Sequence, residues 1–108
     1  MSFPQMATFR QGFDAQRLDD PVAAVAAELE RNGMAERIGH RQRIAVTGGS
    51  RGIANIDVIT KAVIDAVRHA GGVPFLMPAM GSHGGATAEG QKQVLASYGL
   101  SEATLGCP

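Results

Sequence analysis

The chain has 108 residues, 14 of them glycine, with ten acidic and ten basic side chains and a formal net charge of zero at pH 7. That balance offers no basic stripe for nucleic acid or an anionic membrane and points to a small partner. The single cysteine, Cys107, excludes a disulfide framework and CxxC metal spacing, and no apolar run nears the ~18 residues of a membrane span, so a reducing, cytoplasmic setting is expected.

Residues 1–20 carry Phe3, Phe9 and Phe13 with little periodicity and read as an N-terminal arm or edge strand. Asp20-Pro21 has the form of an N-cap followed by proline at the first helical position, and Val22, Val25, Ala26 and Leu29 then recur on one face until Asn32-Gly33. Residues 34–42, with Arg37, His40 and Arg41 around Gly39, read as a solvated connection. Arg43-Ile-Ala-Val-Thr47 is apolar without internal alternation, the pattern of a parallel strand covered on both faces. After the turn Thr47–Ile53, residues Ile56, Ile59, Val63, Ala66, Val67 and Ala70 keep helical spacing and Gly71-Gly72 closes the helix. Val73–Pro78 is a strand bracketed by prolines. A second glycine turn carries His83, and Ala88–Tyr98 forms a further helix with Val94, Leu95 and Tyr98 inward, stopped by Gly99. Ser101–Leu105 adds one more helical turn.

The alternation of strand, helix, strand and helix predicts an α/β fold: a three-layer, mostly parallel sheet with right-handed βαβ crossovers. Two strands make a small sheet. Residues 21–108 therefore read as the N-terminal portion of a larger α/β domain whose later strands complete it.

The two glycine turns follow consecutive parallel strands, which places them on one rim of the sheet. Successive N–H groups in such turns, aimed by a helix N-terminus, favour an anion. In the first turn, Gly48, Gly49 and Gly52 frame Ser50 and Arg51, whose guanidinium can grip a carboxylate at two points; its structural alternative is an ion pair with Asp57. In the second, Gly81-Ser82 and Gly84-Gly85 flank His83, with Thr87 just beyond, so nothing bulky shields a ring that exchanges protons near neutral pH. His40 and His69 read as structural.

The first turn is similar to the cofactor fingerprint of short-chain dehydrogenases through Val46-Thr47-Gly48 and Gly52-Ile53, with Ala54 in place of the closing glycine. That family's Tyr-x-x-x-Lys pair has no counterpart, because Tyr98 is followed four residues on by Glu102. A longer stretch, Arg43 to Pro108, resembles the N-terminal domain of the nickel-dependent lactate racemase family. The resemblance runs through Gly49-Ser50-Arg51-Gly52-Ile53, Pro78-Ala-Met-Gly-Ser-His83-Gly-Gly-Ala-Thr-Ala-Glu89-Gly-Gln91 and Gly106-Cys-Pro108.

That second resemblance implies a racemase or epimerase of 2-hydroxy acids, working by hydride transfer with a nickel-pincer nucleotide held between two domains. It implies His83 as an acid/base residue, and Arg51 with Ser50 as the carboxylate site. The cofactor-attaching lysine, the nickel-ligating histidine and the second acid/base histidine are expected outside residues 1–108, so this chain alone holds no metal and no cofactor. Gly48 stands where the family has an acidic residue, and Gly84-Gly85 replace Arg-Pro, which points to a hydroxy acid other than lactate, or a larger one. The alternatives are a nicotinamide-dinucleotide-binding module of the short-chain dehydrogenase type, and a non-catalytic anion-binding domain.

Overall fold

The computed structural model describes residues 1–108 as α1 (Pro21–Arg31), α2 (Met34–Arg37), β1 (Arg43–Gly48), α3 (Ile56–His69), β2 (Val73–Pro78), a 3₁₀ turn at His83–Ala86, α4 (Ala88–Ser97) and α5 (Glu102–Leu105). β1 and β2 pair in parallel, from Arg43 opposite Val73 to Gly48 opposite Pro78, with α3 as the crossover between them. The fold is α/β, built on a two-stranded parallel sheet. Past β2, the N–H of Leu76 donates to the carbonyl of Pro108 at 2.7 Å, so a third segment already lies along that edge.

Local chemistry sets the helix ends. Asp20 accepts a hydrogen bond from the Ala23 N–H at 2.9 Å, and Pro21 opens α1 without wasting a donor. Thr87 does the same for α4, its hydroxyl accepting from the Gly90 N–H at 3.0 Å. Ser101 and Thr104 cap α5 reciprocally, and Gly106 ends it in the left-handed conformation.

The core is Ile64, Met80, Leu95, Leu100, Leu105 and Cys107, with Val46 and Leu76 of the sheet packed against it. It joins α3, α4 and α5 to one face of the sheet. α3 is covered on two sides, by the sheet and by α1. Of its buried residues, Val67 belongs to the stripe read from the sequence, whereas Thr60 and Ile64 lie outside it, because a helix with two covered sides spreads its buried positions over a wide arc.

Four expectations need correction. β1 is not covered on both faces: Arg43, Ala45 and Thr47 are exposed and alternate with half-buried Ile44 and Val46 and buried Gly48, because the helices of this chain lie on one side only. The Arg43 guanidinium stacks 4.8 Å from the centroid of the Phe75 ring and shields part of the open face. Residues 34–42 contain a helical turn, Met34–Arg37, beside their loop. The arm forms no edge strand; Phe3, Phe9 and Phe13 are exposed. On α1, Val22 and Ala26 are exposed, because α3 covers only part of the apolar face. No helix is long and apolar enough to cross a membrane.

Candidate functional site

Parallel pairing carries both glycine turns to the same end of the sheet, and a side-chain contact joins them: the Ser50 hydroxyl is hydrogen-bonded to His83 Nδ1. The ring's Nε2 has no partner within the chain. The backbone at the base of the two turns is tied as well, the Ala79 N–H donating to the Gly48 carbonyl at 2.8 Å.

The first turn is a loop of donors. The backbone N–H groups of Gly49, Ser50, Arg51 and Gly52 make no hydrogen bond within the chain. Arg51 is exposed and forms no ion pair; the alternative partner Asp57 sits at the start of α3 and does not bond to it. An unpaired guanidinium in the same turn as unused N–H groups is suited to a carboxylate or phosphate.

Gly48 plays a different part from its neighbours. A Cβ there would stand 2.8 Å from Leu95 Cδ2, with Leu76 and Leu100 at 3.6 and 3.7 Å, so the position is an apolar seat under the rim. A carboxylate at 48 would be driven into the core. Gly49 and Gly52 have open space beside them, Gly49 meeting only the Ala79 carbonyl at 4.0 Å. Ala54, at the closing-glycine position of the dinucleotide fingerprint, is exposed and separates no helix from a strand.

In the second turn, Gly81, Gly84 and Gly85 all have positive φ (59°, 66° and 68°), which carries the chain through a sharp reversal around His83. Gly84 packs backbone to backbone on Gly90 in the first turn of α4, whereas Gly85 faces open space. Thr87 is committed to capping, its hydroxyl also lying 3.3 Å from the Gly84 carbonyl.

Two residues without an assigned role in the sequence complete the site. Gln91 Nε2 donates to the carbonyls of Gly81 at 2.8 Å and His83 at 3.2 Å, and the Tyr98 hydroxyl donates to the Ser50 carbonyl at 2.7 Å. Their seven-residue spacing, two helical turns, was the available signal, since it puts both on one face of α4.

No three His, Cys, Asp or Glu side chains converge anywhere in the chain. Of the lysines, Lys61 is paired with Asp65 on α3 and Lys92 is exposed on α4. These residues do not make a ligand set for a nickel ion.

No protein-family model, curated protein or solved structure matches the chain.

Proposed function

We propose that this chain forms the substrate-facing wall of a 2-hydroxy acid racemase or epimerase of the nickel-dependent lactate racemase type. The observation that carries the reading is the Ser50–His83 contact, which joins an acid/base imidazole to the turn holding an unpaired arginine. Arg51 and the free N–H groups of the first turn hold the carboxylate. That fixes the α-carbon, and the hydroxyl beside it falls to His83, which takes its proton and returns it. The open space at Gly85 suits a substrate longer than lactate.

The nickel-pincer nucleotide belongs to the same reading, but residues outside 1–108 would hold it. The uncovered sheet face at Arg43, Ala45 and Thr47 supports a further layer, giving the three-layer form in which residues 21–108 are the N-terminal part of a larger α/β domain. A cytoplasmic setting agrees with the free, buried Cys107.

The alternative, a nicotinamide-dinucleotide module, uses the first turn alone and gives His83 no task. The non-catalytic alternative leaves both side chains idle. The test is turnover: the native protein, purified from its source and given one enantiomer of a 2-hydroxy acid, accumulates the other, as read by chiral chromatography. Absence of the second enantiomer across short and long hydroxy acids, together with unperturbed backbone amides at 47–53 when the acid is added, rejects the reading.

A further inference from the structure

Helix α4 touches both turns of the site through side chains two helical turns apart. At its start, Gln91 Nε2 holds the Gly81 and His83 carbonyls, fixing the backbone on either side of Ser82. At its C-cap, Tyr98 reaches across to the first turn and donates to the Ser50 carbonyl at 2.7 Å, while its ring packs against the core. Ser50 in turn meets His83 Nδ1. The path Tyr98–Ser50–His83 thus starts on a packed ring and ends on an exposed imidazole.

We infer that Tyr98 and Ser50 are positioning residues that hold His83 as the Nδ1–H tautomer, leaving Nε2 as the nitrogen that exchanges protons with substrate. The inference rests on the reading of His83 as an acid/base group. Nδ1–H donates to the Ser50 oxygen when the ring is neutral, and the same bond persists when Nε2 has taken a proton, so the ring need not turn over between the two states. The Ser50 contact admits either tautomer, since a hydroxyl both donates and accepts; the acid/base reading of His83 selects this one, because it leaves the unpartnered Nε2 with a free lone pair for the substrate proton. With its oxygen accepting from the ring, the Ser50 hydroxyl hydrogen remains available to a carboxylate held by Arg51. A serine whose carbonyl swings freely could not keep this alignment, and the tyrosine removes that freedom. Other polar side chains do not compete, since Gln91 is spent on backbone carbonyls and Thr87 on its cap.

The experiment is long-range ¹H–¹⁵N correlation of the imidazole nitrogens in the ¹⁵N-labelled protein, at a pH where the ring is neutral and with no substrate present. His83 is expected mainly as the Nδ1–H tautomer, and Ser50→Ala should lower the Nδ1–H to Nε2–H ratio about fivefold, the worth of one ordinary hydrogen bond. Ser50→Thr should restore it, and Tyr98→Phe, which keeps the packed ring, should give a partial loss with amide shifts outside the two turns unchanged. A wild-type ring mainly in the Nε2–H form, or a ratio indifferent to Ser50→Ala, overturns the inference. So does a covalent acyl adduct on Ser50 after treatment with an activated ester, which would make the serine a nucleophile. No hydroxy acid enters this measurement, so absent racemase activity with the tautomer pattern intact rejects the proposed function alone.

Discussion

Gly90 and Gly84 meet so closely that a Cβ built on Gly90 would lie 1.8 Å from the Gly84 carbonyl oxygen. The contact is backbone on backbone, with no flexible side chain to yield. It seats the histidine turn on the first turn of α4, and the hydroxyl of Thr87 lies between the two, 3.3 Å from the Gly84 carbonyl and 3.0 Å from the Gly90 N–H. Alanine would be the better helix former at 90 by ~1 kcal/mol on intrinsic preference. The clash outweighs that gain, so Gly90→Ala is expected to lift the turn off the helix. The measurement is chemical denaturation combined with amide shifts for residues 81–87. Unchanged shifts and a raised midpoint would mean that the two backbones are farther apart than described.

Gly48 gives a second prediction, on stability rather than on the site. Alanine there has to displace Leu95, which is 3% exposed, and overpacking of this kind costs about 1–3 kcal/mol. Gly48→Asp adds an ionised group among Leu76, Leu95 and Leu100, and the chain is expected to lose its cooperative thermal transition at neutral pH. A Gly48→Asp variant melting like the wild type would show that the loop can turn outward.

How much of this was legible in the sequence depended on whether local or distant neighbours decided it. The helix starts at Asp20-Pro21 and Ala88, the strand Val73–Pro78 and the stop at Gly99 are matters of adjacent residues, and they stand where the spacing put them. The open side of β1 was hidden because Ala45 is apolar and exposed, so the strand shows no polar alternation although only one face is covered. For the site, the turns and their side chains could be named, but the pairing of Ser50 with His83, 33 residues apart, needs the parallel register. Gly48 could not be separated from Gly49 and Gly52 by sequence, since what distinguishes it is Leu95, reached only when α4 folds back.

Gly52 supplies a prediction that separates a ligand site from a structural turn. No atom lies within 4 Å of a Cβ added there, and its φ is not positive, so Gly52→Ala should change stability by less than about 0.5 kcal/mol. If an anion sits against the neighbouring N–H groups, the new methyl should still weaken its binding. Stability from thermal melts and affinity from amide titration with a 2-hydroxy carboxylate are to be compared on the same variant. A variant equal to wild type in both would mean that the anion does not approach Gly52.

The last prediction concerns the division of labour between Arg51 and His83. Arg51 is exposed and forms no ion pair, so Arg51→Lys keeps the charge and the fold and loses only two-point geometry. Losing one charge-assisted hydrogen bond should weaken carboxylate binding by about 1.5–3 kcal/mol. On the proposed reading, His83→Ala removes the proton acceptor and leaves the carboxylate grip, so turnover should fall by roughly 10²–10⁴-fold while binding stays within a few-fold. The two variants are thus expected to fail in opposite ways, one in affinity and one in rate. Isothermal titration with the hydroxy acid, beside initial racemisation rates at saturating substrate, distinguishes them. If His83→Ala weakened binding as much as Arg51→Lys, the imidazole would be a ligand for the carboxylate, and the proton of the substrate hydroxyl would have to go to another group.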